Sequence, residues 1–324
     1  MAELPASRAV DHPAIWIVGS TMVDMVAYAS RIPAAGETLL GDRFDLGFGG
    51  KGANQAVMCA RLGAAVTMVN AVGDDPFGSL TIENLRGEGI DVEHVSTVAG
   101  QSTGAAPIWV EPDGSNRILV IPGANAHLDL DSAAAAVDAA PRVDVVVGQL
   151  EIPQEVTAAA FRSAQARAAT TILNPAPAAP LRAELLAVTD WLVPNETEFA
   201  HLTASLGLDV LDATDPSALR ALQQVTRTGL VVTLGAAGAV GLSIDGRFVR
   251  VSAPAVLVVD TTGAGDAFVG GLAFGLASGM ALDVAVRAAC ALASDSVQRP
   301  GTQKSFPTAP DAARILDTGA APRS

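Results

Sequence analysis

The chain has 324 residues, and its 34 acidic and 20 basic side chains give a net charge of −14 at neutral pH. This balance argues against broad binding to nucleic acid, which needs clustered Lys and Arg to neutralise phosphates. The longest weakly charged run, residues 268–282, is shorter than the roughly 20 apolar residues of a membrane span. Residues 1–12 lack the apolar stretch of a signal peptide. We therefore expect a cytoplasmic protein that binds neither membranes nor nucleic acid.

Short, β-branched apolar runs alternate along the chain with Ala- and Leu-rich stretches. These runs predict buried strands at residues 15–18, 66–72, 143–147, 171–173, 191–193, 230–234 and 256–259. Apolar residues at helical spacing begin at residue 53 and occur again at residues 156–169 and 216–228, which predicts helices there. Such alternation is typical of βαβ units, so we expect an α/β fold with a mostly parallel sheet.

Two stretches depart from this alternation. Residues about 25–48 and 104–121 read as strands with no helix between them, and the second contains the turn sequence Pro112-Asp113-Gly114-Ser115. We expect them to form a small β-layer beside the main domain. Residues 307–324 are rich in Ala and Pro, which predicts a final helix followed by a frayed tail.

The strongest candidate for chemistry is the segment Asp260-Thr261-Thr262-Gly263-Ala264-Gly265-Asp266, expected between a strand and a helix. The small residues at its centre free main-chain N–H groups to face an anion at a helix N-terminus. Asp266 falls in the first helical turn, where a carboxylate could take a proton from an attacking hydroxyl. Alternatively, Asp266 only complements the positive end of the helix dipole.

A second glycine-rich segment covers residues 47–55, Gly-Phe-Gly-Gly-Lys-Gly-Ala-Asn-Gln. Its glycines let the backbone approach a ligand closely, and Lys51 and Asn54 add donors where a helix opens. Gly47, Gly49 and Gly52 also match the G-x-G-x-x-G pattern of dinucleotide-binding proteins. The expected acidic residue about 20 positions later is missing, because Asn70 and Ala71 stand there. An ordinary glycine turn is the third reading.

The remaining polar candidates follow predicted strands. Asn195 and Glu198 could hold a hydrated magnesium ion or form a helix-capping box, and residues 233–238 could be a nucleotide loop or a turn. Asp24 and Glu151 are expected at the carboxyl ends of strands, where open α/β sheets bind ligands. Two converging carboxylates suit recognition of hydroxyl groups. Acidic residues exposed to solvent in loops would give the same sequence pattern.

The order of these motifs resembles the ribokinase-like (PfkB) carbohydrate kinases over nearly the whole chain. The matching segments are Gly19-Ser20-x-x-x-Asp24, residues 49–54, Asn195-x-x-Glu198, residues 233–235 and residues 260–266. The resemblance implies a doubly wound α/β kinase domain at residues 14–308, with the inserted lid segments contributing a dimer contact, and a helix and tail at 309–324. It also implies ATP-dependent phosphorylation of the terminal hydroxyl of a pentose, D-ribose or 2-deoxy-D-ribose.

The resemblance also implies roles for individual residues. Asp266 matches the catalytic base, beside an anion hole at Gly263, Ala264 and Gly265. The pentose positions are Met22, Asp24, Gly50, Lys51, Gly52, Asn54, Glu151 and Asp266. The nucleotide positions are Asn195, Thr233, Gly235, Gly238, Gly265 and Cys290. Glu198 matches a position that organises Mg²⁺ through water. An activating monovalent cation, K⁺ or another, is implied at Asp260, Thr262, Ser296, Arg299, Gly301 and Ser305.

Met22 stands where bacterial members of this family usually carry an Asn that contacts the sugar, so the identity of the pentose is open. Two other classes of function compete with a pentose kinase. An NAD-linked oxidoreductase would use Gly47–Gly52 and needs a buried strand leading directly into that loop. A non-catalytic sensor would have lost the base or the anion hole, and both are present here.

Overall fold

The computed structural model of the chain describes residues 12–209 and 212–319. The predictions for residues 1–11 and for the tail at 320–324 lie outside these ranges. Thirteen strands form two separate sheets. They are β1 Ala14–Val18, β2 Met22–Tyr28, β3 Arg43–Gly49, β4 Ala65–Gly73, β5 Val95–Val98, β6 Ala105–Val110, β7 Asn116–Ile118, β8 Val145–Gly148, β9 Thr170–Leu173, β10 Trp191–Leu192, β11 Gly229–Thr233, β12 Ala239–Leu242 and β13 Phe248–Val251.

The main sheet has nine strands in the order β13-β12-β11-β10-β9-β8-β1-β4-β5. The strands from β11 to β5 are parallel, and β12 and β13 extend one edge as an antiparallel hairpin. The chain first builds outward from β1 through β4 and β5, and then crosses to β8 on the other side of β1. This reversal between β1 and β8 makes the sheet doubly wound, which confirms the predicted fold class.

Ten α-helices are described, and most of them pack on the two faces of this sheet. They are α1 Lys51–Arg61, α2 Pro76–Gly87, α3 Leu130–Asp138, α4 Gln154–Ala166, α5 Ala183–Leu186, α6 Glu196–Ser205, α7 Pro216–Thr226, α8 Ala264–Ala277, α9 Leu282–Ser296 and α10 Ala309–Gly319. The strands are buried on both sides because their side chains alternate between two cores. In β1, Ile15 and Ile17 join the core with α1, α8 and α9, whereas Trp16 and Val18 join the core with α3, α4 and α7.

The second sheet is small, with the order β3-β2-β6-β7. Strands β2 and β6 are parallel, and the other two pairs are antiparallel. The predicted hairpin turn joins β6 to β7, with Gly114 at a φ of 84°. We call this sheet the lid. It leads directly into α1, because Gly50 is the only residue between β3 and that helix.

One strand prediction is wrong. Residues 256–259 are not a strand, although their β-branched composition suggested one. A strand needs a neighbour to pair with, and here the N–H groups of Val259 and Asp260 donate to the carbonyl of Val297 at the end of α9. Leu257 is 82% exposed. The segment is therefore an extended loop along the rim of a cavity. No helix in the described parts of the chain is long and apolar enough to cross a membrane.

Candidate active site

The candidate residues collect at the carboxyl edge of the parallel strands. Ser20 follows β1, Glu151 follows β8, Asn174 follows β9 and Asn195 follows β10, while Thr233 ends β11. Because neighbouring parallel strands end at the same edge, residues far apart in sequence are brought together there. The reversal point between β1 and β8 lies within this group. Asp266 reaches the group from α8 on one face of the sheet.

Helix α8 begins at the segment predicted to bind an anion. Its N-cap, Gly263, has a φ of 77°, a left-handed conformation that favours glycine. A Cβ atom there would also come within 2.7 Å of the Thr302 side chain. No side chain caps the helix, so main-chain N–H groups of its first turn remain available to a ligand. The segment thus has the geometry of an anion site even though the preceding strand is absent.

Asp266 is buried, and both of its carboxylate oxygens accept hydrogen bonds from α1. Asn54 Nδ2 donates to Asp266 Oδ2 at 2.8 Å, and Gln55 Nε2 donates to Asp266 Oδ1 at 3.0 Å. Gln55 also donates to Asn174 Oδ1 and accepts a bond from Gln149. These amide donors fix the plane of the carboxylate that lines the cavity.

Asp24 and Glu151 face the same space from the lid and from the loop after β8. Glu151 accepts hydrogen bonds from the Ser20 hydroxyl and from the Lys51 N–H group, so the loop after β1 and the start of α1 are joined through it. The Asp24 carboxylate has no hydrogen-bond partner within the described residues. A half-buried acceptor of this kind is available for the hydroxyl groups of a ligand.

Negative charges outnumber positive ones in this space, and at Asp24 they add to the larger effect of burial. Burial, with further contributions from Glu151 and Asp266, raises the pKa of Asp24 to about 6. Burial alone would lower the pKa of Lys51, but the negative charges of Asp266, Glu151 and Glu198 outweigh it and raise that pKa. Clustered carboxylates with perturbed pKa values are typical of functional sites.

Two cavities adjoin at Thr233 and Gly265, which line both. The smaller, of about 210 Å³, is lined by polar groups that include Lys51, Asn195, Glu198 and Asp266. Lys51 was predicted at the sugar, and the structure puts it in this cavity beside the candidate nucleotide residues. The larger cavity, of about 490 Å³, is mostly apolar and contains Gly235, Gly238 and Cys290.

The lining of the larger cavity includes two residues of the segment that was predicted as a strand, Val256 and Val258. Burial raises the pKa of the Cys290 thiol to about 12, so Cys290 is an uncharged apolar wall of the cavity. An elongated ligand with a flat apolar end and an anionic end would fit the pair of cavities, with the anionic end near Asp266.

The remaining sugar candidates lie where the lid meets α1. Met22 is buried at the start of β2 and pairs with Gly49 of β3. Gly50 has a φ of 85°, and a Cβ atom there would lie 2.7 Å from the Met22 nitrogen. Gly52 packs equally closely on Ser20. A side chain at Gly50 would therefore push the lid strand away from α1 and its Asn54.

The capping box predicted for Asn195 and Glu198 is present. Asn195 Oδ1 accepts from the Glu198 N–H group, and Glu198 Oε2 accepts from the Asn195 N–H group. Glu198 Oε1 has no hydrogen-bond partner within the described residues, and burial raises the pKa of this carboxyl. The described residues contain no cluster of three or more His, Cys, Asp or Glu side chains able to hold a metal. A Mg²⁺ ion here would depend on phosphate and water ligands, as is usual for this ion.

The six candidate cation residues lie in two segments, residues 260–262 before α8 and residues 296–305 at the end of α9 and beyond it, which Asp260 joins through Gly301. Asp260 Oδ1 accepts from Thr262, and Asp260 Oδ2 accepts from the Gly301 N–H group at 2.9 Å. Arg299 donates to the Ser305 carbonyl, and the Ser296 hydroxyl bonds back to its own helix. Burial alone would raise the pKa of Asp260, but the bonds from Thr262 and Gly301 outweigh it and lower that pKa. The atoms left as ligands are oxygens, which suit a hard cation.

The dinucleotide interpretation of residues 47–52 is wrong. Gly47 and Gly49 lie in β3, an antiparallel strand of the lid, and not in a parallel strand of the main sheet. The fingerprint requires a βαβ unit in which a buried parallel strand leads into the glycine turn. The loop instead positions Asn54 and Gln55 at Asp266.

The sequence analysis gave no role to four residues of this network, Ser20, Gln55, Gln149 and Asn174, although Ser20 and Gln55 lie in its motifs. Gln55 follows Asn54 directly, so its place on α1 was a usable signal for Asp266 contact. Ser20, Gln149 and Asn174 each follow a predicted strand, and the carboxyl-edge rule that selected Glu151 would have selected them too.

Comparison with known proteins agrees with this site. The family model for pfkB family carbohydrate kinases matches residues 13–309. The chain is 39% identical to a deoxyribokinase of Salmonella typhi over 295 residues, covering 91% of this chain and 95% of the relative. It is also 39% identical to a ribokinase of Mus musculus over 298 residues, covering 91% and 92%.

Solved structures give the same result. A ribokinase of Arabidopsis thaliana, complexed with ribose and ATP, superposes with a TM-score of 0.86 at 30% identity, covering 94% of this chain and 99% of that one. A ribokinase of Thermotoga maritima superposes with a TM-score of 0.84 at 31% identity, with the same coverage. The resemblance inferred from the motifs is confirmed, and the chain belongs to the pfkB family of carbohydrate kinases.

Proposed function

We propose that the chain transfers the γ-phosphoryl group of ATP to the 5-hydroxyl of a pentose, with D-ribose as the lead substrate and 2-deoxy-D-ribose as the close alternative. The observation that carries this proposal is the position of Asp266. Its carboxylate lines the polar cavity beside the uncapped start of α8 and lies within the electrostatic reach of Asp24. A coupled assay of ADP release with a panel of pentoses tests the proposal.

In the proposed reaction, Asp266 accepts the proton of the 5-hydroxyl as its oxygen attacks the γ-phosphorus and ADP leaves. The N–H groups of Gly263 and Gly265 at the start of α8 would face the charge that develops on the phosphoryl oxygens, whereas the Ala264 N–H group already donates to the Thr261 carbonyl. Lys51 adds a positive charge in the same cavity. Mg²⁺, held through water by Glu198 and by the phosphates, would neutralise charge on the leaving group.

The sugar would lie between the lid and α1. Asp24 and Glu151 accept hydrogen bonds from its hydroxyl groups, while Asn54 and the main chain at Gly50 and Gly52 complete the contacts. An uncharged sugar needs no basic pocket, in agreement with the acidic cluster found here. The adenine would occupy the larger apolar cavity beside Gly235, Gly238 and Cys290.

The identity of the pentose turns on Met22. A pocket that hydrogen-bonds a hydroxyl rejects an analogue lacking it, because its polar groups stay unpaired. Methionine has no donor and only a weak acceptor, so that penalty is absent here. We expect 2-deoxy-D-ribose to be used at least comparably with D-ribose. An unpaired 2-hydroxyl would cost about 1–3 kcal/mol, or roughly 5- to 150-fold against ribose.

The measurement is kcat/KM for both sugars in the wild type and in Met22→Asn. The variant should shift the ratio towards ribose, because the amide can bond the 2-hydroxyl. Strong rejection of deoxyribose by the wild type would show that Asp24 or a water satisfies that hydroxyl. An unchanged ratio in Met22→Asn would show that residue 22 does not read the 2-position.

We also propose that a monovalent cation binds the loop of Asp260, Thr262 and residues 296–305. The loop is contiguous with the start of α8, so an ordered loop would order the anion-binding N–H groups. Turnover should rise with K⁺ at fixed Mg²⁺ and ATP, and the melting temperature should rise with K⁺ because the ion binds the folded state. Equal rates and melting temperatures in K⁺ and in tetramethylammonium, at matched ionic strength, would contradict this.

Finally, we propose a homodimer formed through the lid. The lid exposes apolar side chains, among them Phe44 at 62%, Ile118 at 54% and Leu119 at 55%. Exposed apolar groups on a small sheet favour association with a second copy. Sedimentation should give the mass of a dimer for the wild type and of a monomer for Ile118→Lys; a monomeric wild type would rule the contact out.

A further inference from the structure

A chain of three amides leads outward from Asp266 to the side of the molecule that carries α2. Asn54 donates to Asp266, Gln303 Nε2 donates to Asn54 Oδ1 at 3.0 Å, and Asn84 Nδ2 donates to Gln303 Oε1 at 3.0 Å. We call Asn54, Gln303 and Asn84 the amide relay. Asn54 and Gln303 are buried, whereas Asn84 is half-buried on α2.

The direction of every bond in the relay is determined by the carboxylate at its inner end. A primary amide has a donor on one side and an acceptor on the other, whereas a carboxylate only accepts. Asn54 must therefore turn its NH₂ group to Asp266 and its oxygen outward. Gln303 must then present its NH₂ group to Asn54, and Asn84 must present a donor to Gln303. Reversing one amide would put two oxygens, or two NH₂ groups, face to face.

The main chain of Gln303 is held to the same helix that carries Asn54. Arg61, the last residue of α1, donates from Nη1 to the carbonyl oxygens of Gln303 and Phe306 at 2.9 and 3.1 Å. The same guanidinium pairs with Glu88 just beyond α2. The backbone at Gln303 is thus fixed relative to α1 and α2. A change in the relay would therefore turn the Gln303 amide group without moving the main chain.

We propose that Gln303 is a positioning residue for Asp266. It fixes the Asn54 amide so that a donor, and not an oxygen, faces the carboxylate. In the opposite orientation Asn54 Oδ1 would oppose the charged carboxylate, which would both repel it and remove the bond that holds its plane. This inference rests on the proposed function, in which Asp266 is the base.

The relay can be reversed from its outer end without touching the site. In Asn84→Asp the new carboxylate only accepts, so Gln303 satisfies it by turning its NH₂ group outward, and its oxygen then faces Asn54. In Asn84→Ala the outer bond is lost but nothing forces Gln303 to turn. We expect kcat to fall about tenfold or more in Asn84→Asp and by less in Asn84→Ala, since a bond to a charged group is at stake.

The order of the two variants separates positioning from simple support. A merely structural role predicts the opposite order, because Asn84→Asp keeps a hydrogen bond to Gln303 that Asn84→Ala loses. The KM for ATP should stay within about twofold in both, since no relay residue lines the nucleotide cavities and ground-state binding is untouched. Equal or higher kcat in Asn84→Asp than in Asn84→Ala would overturn the proposal.

Two controls complete the experiment. Ser79→Asp places the same negative charge at an exposed position of the same helix, and it should keep wild-type kcat if charge alone is harmless. Thermal unfolding of each variant checks that kcat does not simply follow stability. Wild-type turnover with the pentose is measured first and reports on the proposed function alone, so a failure of that function is distinguishable from a failure of the relay.

Discussion

Asp266→Asn is expected to lower kcat by about 10²- to 10⁴-fold, the usual effect of losing a positioned general base. The substitution keeps the size of the side chain but removes the proton acceptor. Affinity for ATP should change little, because most of the nucleotide would lie in the cavity formed by other residues, among them Gly238 and Cys290. Pre-steady-state turnover and equilibrium titration of ATP measure the two quantities separately.

The variant should also lose some stability. Asn54 and Gln55 both direct NH₂ groups at Asp266, and an asparagine there accepts from only one of them, which leaves a buried donor unpaired at a cost of about 1–3 kcal/mol. Asp317→Asn, an exposed change in α10, is the matched control and should retain full turnover. If Asp266→Asn keeps more than about a tenth of the wild-type kcat, Asp266 is not the general base.

Asp24→Asn is expected to weaken the use of the sugar while stabilising the sugar-free protein. Loss of a charged acceptor costs about 1.5–3 kcal/mol for each hydroxyl bonded, so kcat/KM for the pentose should fall about 10- to 150-fold. The folded-state pKa of Asp24 is about 6, above the ordinary value of 3.8. Holding this carboxylate ionised in the fold therefore costs about 3 kcal/mol at neutral pH.

The sign of the pH dependence follows from the raised pKa. The folded protein binds the Asp24 proton more tightly than the unfolded chain does, so ionisation of this group lowers the free energy of unfolding as pH rises from about 4 to about 6. Above about pH 6 the loss of stability is complete and stays constant. The melting temperature of Asp24→Asn should exceed that of the wild type at pH 8, and the difference should shrink below pH 6.

The same protonation affects the sugar. The wild-type KM for the pentose should rise as pH falls below about 6, because a protonated Asp24 loses its charge and one acceptor. The KM of Asp24→Asn should lack this rise. Asp42→Asn, an exposed change beside the lid, is the control and should behave as the wild type. A melting temperature of Asp24→Asn below that of the wild type at pH 8 would contradict the assigned burial cost.

Much of the fold was predictable because it depends on local patterns. The apolar runs of β1, β4, β8, β9 and β11 sit where the sequence predicted strands, since strands buried on both faces must be continuously apolar. The run at residues 256–259 has the same composition, but whether a strand forms depends on a partner supplied by the rest of the fold. No local sequence pattern predicts that the end of α9 lies beside residues 256–259.

The site was predictable in part for a similar reason. Glu151, Asn195 and Asp266 were identifiable because each follows a strand or opens a helix. Asp24 was expected just past the first strand, but it lies inside β2 of the lid, from where it still interacts electrostatically with Glu151 and Asp266. Lys51 was predicted at the sugar, and this stays a prediction, because Lys51 and Asp266 line the same polar cavity. The direction of a side chain at a helix start depends on how the lid meets α1, which no local pattern gives. Gln303 carries no signal of its own, since its partner Asn54 is 249 positions away.

The most direct test of the central proposal is the product of the reaction with ATP, Mg²⁺ and D-ribose, followed by ³¹P and ¹³C nuclear magnetic resonance. We predict ADP and a phosphomonoester whose phosphorus couples to carbon 5 of the pentose, formed by the wild type and not by Asp266→Asn. The same spectrum should appear with 2-deoxy-D-ribose. Phosphorylation at another carbon, or ADP formation without a sugar phosphate from either pentose, would contradict the proposed function.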